Sequence, residues 1–281
     1  MTLGRARKVN LGLSHFVIIV ILVFSTFPFY WTLVCTLKTS SQLYTRTPNF
    51  FPWPLTLRNL AYAFANPKFL IPFRNSVLMG ILTAIIVVVL ASLGGYSLAR
   101  YKYRGKRLFM FLLVFAYLLP VAMLIVPLFY TYSKLHLVNT YGGLIFSYMT
   151  LATPFCILLL RNFFLDFPND LEEAALVDGC NRMGAFARII LPLLAPGVVA
   201  VALFTFIIIW NDLLFSMVMT KDTDHMTAAV QISQMLSSQY ARQDYGLILG
   251  EGAIVTVPIV LVFIFLQKYL VQGMTAGAVK G

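Results

Sequence analysis

The sequence is poor in charged residues, cysteine and histidine, and each shortage excludes a class of protein. Charged residues make up 11% of the 281 positions and hydrophobic residues 60%, whereas a soluble domain carries about 25% charged residues. Most of the surface is therefore not built to face water. The three cysteines form no Cys-x-x-Cys pair and the three histidines are scattered, which argues against a disulfide framework and against a metal site.

A phosphate-binding loop is also missing. That loop needs the pattern Gly-x4-Gly-Lys-Ser/Thr. In this chain Gly105-Lys106 is followed by Arg107, and Arg100 stands where the first glycine would be. We therefore expect no ATPase site, no enzyme activity and no cofactor bound by this chain.

Six apolar stretches are long enough to cross a bilayer, which takes about 20 mostly apolar residues. Backbone polar groups have no water partner inside lipid, so these spans must be helices; the alternating segments of a barrel are absent from the sequence. The predicted fold class is an all-α integral membrane protein with six transmembrane helices. The predicted spans are His15–Cys35, Ser76–Leu98, Leu108–Phe129, Gly142–Leu160, Leu193–Met217 and Ile248–Leu266.

The basic residues predict the orientation. The first span is too long for a typical signal peptide and has no clear cleavage site, so it is interpreted as a retained helix. The short basic segment 99–107 abuts two spans, and positive residues favour the cytoplasmic side. Both termini are then cytoplasmic. The net charge of +11 is attributed to topology and lipid headgroup contact rather than to nucleic acid.

The outer segments contain little predicted structure. Four prolines disfavour a continuous helix over 36–74, although Leu55–Phe64 could form a short helix capped by Thr56. A second short helix is predicted over Thr227–Leu236. These segments either contact an extracytoplasmic partner or merely close the helix bundle. Within the second span, Ala91 and Gly95 lie four residues apart and could let another helix approach closely.

One polar loop, 170–192, is more sharply specified than any other. Asp170 and Glu173 form a start like a capping box, and Gly179 suits a chain reversal because glycine adopts left-handed dihedrals cheaply. A second helix, Arg182–Ile190, leads to Pro192. The loop is therefore predicted to be a short helix–turn–helix at the cytoplasmic surface.

Half of the chain's acidic residues lie in or next to this loop. Acids on a cytoplasmic loop oppose attraction to anionic lipid, so a protein contact explains them better than a membrane contact. Ala174 and Ala175 would let a partner approach, and Glu172 and Glu173 could pair with its basic groups. The alternative is an ordinary solvated helix.

The loop spacing resembles the Glu-Ala-Ala (EAA) loop of the membrane subunits of binding-protein-dependent ABC importers. Ile207–Asp212 resembles the Trp-Asn-Asp/Glu segment of sugar permeases. The end of the chain, 273–281, resembles the C-terminal tail of maltose-type permeases. The resemblance extends from about Phe73 to Gly281 and is nearest to the smaller maltose-type membrane subunit. The departure is local: Cys180 and Asn181 replace the small and hydroxyl residues often found after the loop glycine.

This resemblance implies a type I importer permease in a bacterial or archaeal cell membrane. The implied partners are a second permease chain, two cytoplasmic ATPase subunits that use the ATP, and an extracytoplasmic sugar-binding protein. The implied organisation is a cytoplasmic N-terminus 1–14, a first helix 15–35, an outer segment 36–72, a permease domain 73–268 and a cytoplasmic tail 269–281. The residues expected to couple the chain to the ATPase are Glu172, Glu173, Ala174, Ala175, Asp178, Gly179, Ile189, Leu191 and Pro192.

Polar residues inside spans are costly and often functional, which selects candidates for the substrate pathway. They are Trp210, Asn211, Asp212 and Glu251, with Tyr130, Tyr148 and Gln267 behind them. Carboxylates and aromatic rings suit sugar hydroxyls and ring faces. The alternative is that Trp210 and the tyrosines anchor the chain at the membrane interface.

Other functions stay open at this point. A permease for a non-sugar solute, such as glycerol phosphate, a polyamine, an amino acid or phosphate, would share the loop. An ion-coupled secondary transporter would also have bent spans and rare membrane acids, but it would not need the EAA loop.

Overall fold

The computed structural model describes residues 3–168, 170–238 and 244–278, of which 3–13, 266 and 268–278 are described by their backbone alone. Every regular element over these residues is a helix, which confirms the predicted all-α class. In chain order the helices are α1 (Leu3–Thr36), α2 (Ser40–Leu43), α3 (Arg58–Ala65), α4 (Pro67–Arg100), α5 (Lys106–Leu118), α6 (Val121–Lys134), α7 (Tyr141–Asp166), α8 (Asp170–Val177), α9 (Arg182–Ala185), α10 (Leu191–Leu193), α11 (Ala195–Trp210), α12 (Leu214–Met219), α13 (Ala228–Ser237) and α14 (Tyr245–Ala278), with a π-helical turn, Phe186–Ile190, between α9 and α10.

Four helices are long and apolar enough to cross a membrane without interruption. They are α1 from Ser14 onward, α4, α7, and α14 as far as Phe265. Two further spans reach that length only as bent pairs: α5 with α6, bent by 103°, and Arg182–Leu193 with α11, bent by 77°. The described residues therefore contain the six predicted spans if each bent pair crosses the membrane once.

The third predicted span, Leu108–Phe129, is not one helix, which corrects that expectation. Its first part, α5, ends at Leu118, and Leu119 has extended dihedrals (φ −65°, ψ 129°). The second part, α6, starts after Pro120. A proline disfavours helical dihedrals in the residue before it, so Pro120 accounts for the break.

The fifth predicted span, Leu193–Met217, is also divided. Helix α11 stops at Trp210, residues 211–213 are not helical, and α12 begins at Leu214. On the other side of the 77° bend, the π-helical turn directly precedes α10, which contains Pro192. Proline has no N–H to donate to the preceding turn, so a widened turn at this place has a local cause.

Both short helices expected in the outer segments are present with shifted ends, as α3 and α13. The Thr56 hydroxyl accepts a hydrogen bond from the Arg58 backbone N–H at 3.1 Å. This bond satisfies one of the free donors at the start of α3, but the N-cap position is occupied by Leu57, so Thr56 lies one residue before the position predicted for it.

Helix α4 begins earlier than expected. It starts at Pro67 and includes Pro72 in its second turn. The expectation that no continuous helix covers 36–74 is confirmed, because that segment is divided among α1, α2, α3 and α4. Near the other end, a Cβ on Gly95 would lie 2.9 Å from the Arg161 backbone nitrogen of α7. The close approach expected at this pair is therefore present at Gly95, between α4 and α7, and Ala91 is buried in the core.

The chain divides into two compact units, which are described separately. The first comprises the chain up to Pro67 together with Gln234–Val255. In it, the Asn59 amide of α3 donates to the carbonyl of Thr36 at 2.8 Å, and the Thr36 hydroxyl donates to the carbonyl of Leu249 at 3.0 Å. These bonds join α3, the end of α1 and the start of α14.

The second unit comprises Lys68–Ser233 and the chain from Thr256 onward. Its larger apolar core lies where α4, α7, α11 and the π-helical turn meet. Fully buried core members are Val87, Ala91, Leu98, Ala152, Cys156, Leu160, Phe164, Ile190 and Val201. This core supports the polar loop that the sequence singled out.

Candidate functional site

The polar loop folds into two short helical segments joined by a tight turn, and we call residues 170–193 the loop hairpin. Gly179 has φ +85°, a conformation that costs glycine little and other residues more. The Gly179 N–H donates to the Leu176 carbonyl at 3.2 Å and the Cys180 N–H to the Ala175 carbonyl at 3.0 Å. These two bonds form a Schellman motif, so the predicted chain reversal at Gly179 is confirmed.

Asn181 starts the second segment of the hairpin. Its side-chain oxygen accepts a hydrogen bond from the Gly184 N–H at 2.6 Å, which satisfies a free donor at the start of α9. Asn181, one of the two departures from the family pattern, is therefore the N-cap of α9. At the other end, α8 includes Asp170 as its first residue; Asn169 lies outside the described residues.

Glu172 points into the protein, which corrects the expectation that it faces a partner. It is 7% exposed. Tyr96 Oη donates to Glu172 Oε1 at 2.6 Å, and Arg100 Nε lies 3.2 Å from Glu172 Oε2. Residues three apart share a helix face, and Ala175, 3% exposed, is buried on the same side as Glu172. Ala175 is therefore also corrected from a contact residue to a packing residue.

The hairpin is anchored to the ends of two long helices. Arg100, at the end of α4, also donates from its guanidinium to the Phe167 carbonyl at 2.9 Å, directly after α7. The Tyr96 ring lies 4.7 Å from the Phe186 ring and 5.6 Å from the Phe164 ring, between centroids. A buried ion pair and an aromatic cluster together connect α4, α7 and the hairpin.

The opposite side of the hairpin is exposed, and we call it the hairpin face. It combines acidic groups with apolar ones: Val177 is 87% exposed and Met183 61%. The hairpin face consists of Glu173, Ala174, Val177, Asp178, Gly179 and Met183.

The remaining hairpin residues predicted from the sequence differ in exposure. Pro192 is exposed, Ile189 and Leu191 are half-buried, and the unpredicted Ile190 between them is fully buried. Sequence reasoning also missed Tyr96, Arg100 and Phe186. The basic cluster contained a signal for Arg100, but no sequence pattern pointed to Tyr96.

The substrate-pathway candidates of the second unit are not gathered into one site. Trp210 is 6% exposed; its ring stacks on Phe206 at 5.3 Å and meets the edge of Phe73 at 6.1 Å. Its contacts are therefore those of a core residue rather than of an exposed platform. Asn211 is exposed, and its side-chain amide donates to the Ile207 carbonyl at 2.8 Å.

Asp212 caps a helix. Its two carboxylate oxygens accept hydrogen bonds from the Phe215 N–H at 3.3 Å and the Ser216 N–H at 3.0 Å. These are free donors at the start of α12, and a negative group at that end is favoured by the helix dipole. The residue has a structural role that the sequence alone did not indicate.

Glu251 belongs to the first unit. It is fully buried, and Oε1 accepts a hydrogen bond from the Asn66 side-chain amide at 3.3 Å. Within the described residues, Oε2 has no hydrogen-bond partner. Of the secondary candidates, Tyr148 is fully buried, whereas Tyr130 and Gln267 are exposed. Over the described part of the chain, no cluster of three metal-ligating side chains occurs.

Known proteins resemble this chain over most of its length. The family model described as "Binding-protein-dependent transport system inner membrane component" matches residues 91–276. The trehalose transport system permease protein SugB of Mycobacterium tuberculosis is 34% identical over 92% of this chain and 93% of its own length. The diacetylchitobiose uptake system permease protein DasC of Streptomyces coelicolor is 31% identical over 94% and 95%.

Solved structures show the same fold. A chain of a bacterial ABC transporter involved in the import of the acidic polysaccharide alginate matches with a TM-score of 0.81, at 19% identity, over 95% of this chain and 98% of that one. A chain of the bacterial alginate ABC transporter in complex with its alginate pentasaccharide-bound periplasmic protein matches with a TM-score of 0.66, at 15% identity, over 95% and 96%.

Proposed function

The chain belongs to the family of inner membrane components of binding-protein-dependent transport systems, and on that premise we propose that it is the permease subunit of an ATP-driven importer for a sugar or oligosaccharide. The observation that carries this proposal is the near-complete coverage of relatives named as trehalose and diacetylchitobiose permeases. The trehalose/maltose permease protein MalG of Thermococcus litoralis adds a third, 31% identical over 94% of this chain and of its own length.

The proposed assembly contains a second permease chain, two cytoplasmic ATPase subunits and an extracytoplasmic sugar-binding protein. Support comes from the family description and from the solved alginate transporter, which was crystallised with a periplasmic protein. The membrane would supply lipid, and ATP would be hydrolysed by the partner subunits. The proposed orientation, with both termini cytoplasmic, puts the loop hairpin on the side where ATP is used.

In this proposal the hairpin face receives the ATPase. Ala174 adds little bulk, which permits close approach. Glu173 and Asp178 offer charge for basic partner groups, and Val177 and Met183 offer apolar area. On its other side, the same helix contacts α4 through Glu172. A displacement of the hairpin would therefore be passed to α4 through Arg100 and Tyr96. Nucleotide-driven closure of the ATPases would then bias the spans between two states.

For the substrate pathway, we propose direct contact with the solute for fewer residues than the sequence suggested. Trp210 and Asp212 would act on transport through packing and helix capping, because their side chains already have partners inside the chain. Of the main candidates in the second unit, Asn211 is exposed enough to contact a sugar directly, and the secondary candidates Tyr130 and Gln267 are exposed as well. Glu251 would contribute only if a movement uncovered it.

A cross-linking experiment tests the coupling proposal. A cysteine at Ala174, in a background whose native cysteines are replaced, should cross-link to an ATPase subunit in intact membranes. The control is a cysteine at Ser133, which is exposed in the last turn of α6 and lies on the extracytoplasmic side in the proposed orientation. It should not cross-link to the ATPase. Native Cys180 must be among the cysteines replaced, because it lies in the hairpin and is only half-buried, so its thiol could react in place of the one at position 174.

Two outcomes would contradict the proposal at different levels. If the ATPase co-purifies with the chain but never cross-links at position 174, the hairpin face is not the contact. If neither an ATPase nor a sugar-binding protein co-purifies, and uptake follows an ion gradient rather than ATP, the importer assignment is wrong.

A further inference from the structure

The first unit contains a cavity that the transport mechanism does not use. It lies at the end of the membrane-spanning part of α1, encloses about 450 Å³ and is lined by residues of α1, of the loop that follows it and of the start of α14. Binding pockets for small molecules commonly have volumes of about 300–1,000 Å³. The cavity is therefore large enough for a ligand group.

The lining of this cavity carries charge of one sign. Lys38 and Arg46 both line it, and no acidic residue does. Asp244, the neighbour in sequence of the lining residue Tyr245, forms an ion pair with Arg58 at 3.0 Å. Among the described residues no carboxylate lies within ion-pair distance of Lys38 or Arg46.

Lys38 is the strongest observation, because its side chain is almost completely buried. It is 2% exposed. Its ammonium group donates to the Asn49 carbonyl and lies 4.5 Å from the centre of the Trp31 ring. One carbonyl and one aromatic face are weaker partners than an anion for a cation removed from water. The buried Lys38 ammonium therefore has no anionic partner among the described residues.

The wall of the cavity is held in place by hydrogen bonds. The Gln42 amide donates to the Trp53 carbonyl at 2.7 Å and accepts from the Thr39 N–H at 2.9 Å. The Tyr245 N–H donates to the Tyr44 hydroxyl at 3.1 Å, which closes the wall between the loop and α14. The cavity is thus built by specific contacts.

The position of the cavity indicates the source of the anion. It begins one turn before the end of the Ser14–Thr36 span, whose apolar residues are exposed. Three aromatic residues with polar groups, Trp31, Tyr44 and Tyr245, line it, and such residues concentrate where hydrocarbon meets headgroups. These two features favour a position of the cavity at the level of the lipid headgroups.

We propose that this cavity binds the phosphodiester group of an anionic membrane lipid, with the Lys38 ammonium and the Arg46 guanidinium as its cationic partners. A phosphate oxyanion can accept hydrogen bonds from both. Free phosphate shares this chemistry, and a carboxylate on a protein partner is the competing class of ligand. The proposal does not depend on which solute the chain transports.

The test uses the full-length chain purified in detergent, with dioleoylphosphatidylglycerol as the lipid probe and dioleoylphosphatidylcholine as its neutral counterpart. Bound lipid is counted by native mass spectrometry. Wild type should retain one phosphatidylglycerol per chain, and Lys38→Gln should bind it at least tenfold more weakly. Lys134→Gln is the matched control, because Lys134 also lies over a ring, that of Tyr130 at 4.3 Å, and it should bind as wild type does.

Two further variants separate binding from folding. Lys38→Arg keeps the charge and should retain the lipid. Arg46→Gln changes an exposed residue of the same cavity and should weaken binding severalfold without affecting expression, so it tests the proposal even if Lys38→Gln fails to fold.

Each contrary result overturns the proposal in a distinct way. Equal retention of phosphatidylglycerol by wild type, Lys38→Gln and Arg46→Gln would exclude the site. Displacement of the lipid by millimolar inorganic phosphate would identify free phosphate as the ligand. Contact between position 38 and a protein partner, with no preference for anionic lipid, would assign the cavity to a carboxylate of that partner.

Discussion

Removing the Tyr96 hydroxyl should loosen the loop hairpin without unfolding the membrane helices. Tyr96 donates to the buried Glu172 carboxylate at 2.6 Å, and a hydrogen bond to a charged group contributes about 1.5–3 kcal/mol. Because the phenyl ring remains in contact with Phe186, Tyr96→Phe deletes the bond and leaves the packing. At about 1.4 kcal/mol per factor of ten, the detached population of the hairpin should rise roughly 10- to 100-fold.

Hydrogen exchange measured by mass spectrometry is the assay for this change. Backbone amides of the loop hairpin should exchange faster in Tyr96→Phe, whereas amides in the middle of α4 and α7 should not change. Tyr103→Phe is the control, since Tyr103 is 43% exposed and lies in the same stretch of the chain. The reasoning is refuted if hairpin exchange in Tyr96→Phe equals that of wild type.

The same contacts predict a larger effect at Arg100. Its loss would leave the Glu172 carboxylate buried without its cation, which costs about 3–5 kcal/mol, and would also remove the bond to the Phe167 carbonyl. Arg100→Met should therefore increase hairpin exchange more than Tyr96→Phe does. An effect smaller than that of Tyr96→Phe would mean that the ion pair contributes little.

Substitutions at Gly179, Gly95 and Asp212 give sharp expectations. Gly179→Val should reduce ATP-coupled uptake while leaving membrane insertion unchanged. Gly179→Asn should be tolerated, because asparagine accepts the left-handed conformation more easily and no atom of this chain lies within 4 Å of a Cβ at that position. Equal uptake by the two variants would contradict this expectation. Gly95→Ala should destabilise the protein by about 1–3 kcal/mol, because the new methyl group would meet the backbone of α7. Gly142→Ala is the control, because a methyl group there meets nothing within 4 Å. The difference in melting temperature between the two variants measures the destabilisation. Asp212→Ala should destabilise α12 by about 0.5–2 kcal/mol and Asp212→Asn much less; if Asp212→Asn abolishes uptake at unchanged stability, the carboxylate contacts the solute after all.

The exposure pattern of the hairpin illustrates how far residue spacing can be taken. The sequence indicated a helix from about Asp170, a reversal at Gly179 and a second helix toward Pro192, because capping groups and glycine act locally. It could not assign the inner and outer faces of α8. Glu172 and Glu173 are neighbours of the same type, and only contact with α4 decides that Glu172 is buried while Glu173 is exposed.

The broken spans show a second kind of limit. Hydropathy averages over about 20 residues, so it detects Leu108–Phe129 and Leu193–Met217 as continuous apolar stretches. The breaks depend on single residues, Pro120 and the pair Asn211-Asp212, whose effect is set by whether neighbouring groups can accept the freed backbone bonds. Asp212 shows this directly, because its carboxylate satisfies the N–H groups that the break exposes.

The sequence by itself determined that this is a helical membrane protein, which stretches of the chain supply its spans, and that the EAA pattern ties it to a family of transport permeases. These features follow from hydrophobicity and local backbone preference, which act over short distances along the chain. Only the tertiary structure decided that Glu172 is an anchor, that Trp210 is a core residue, and that Lys38 is buried beside a cavity without an acidic partner. Each of these depends on which distant groups come within a few ångströms, and no periodicity in one chain encodes such distances directly.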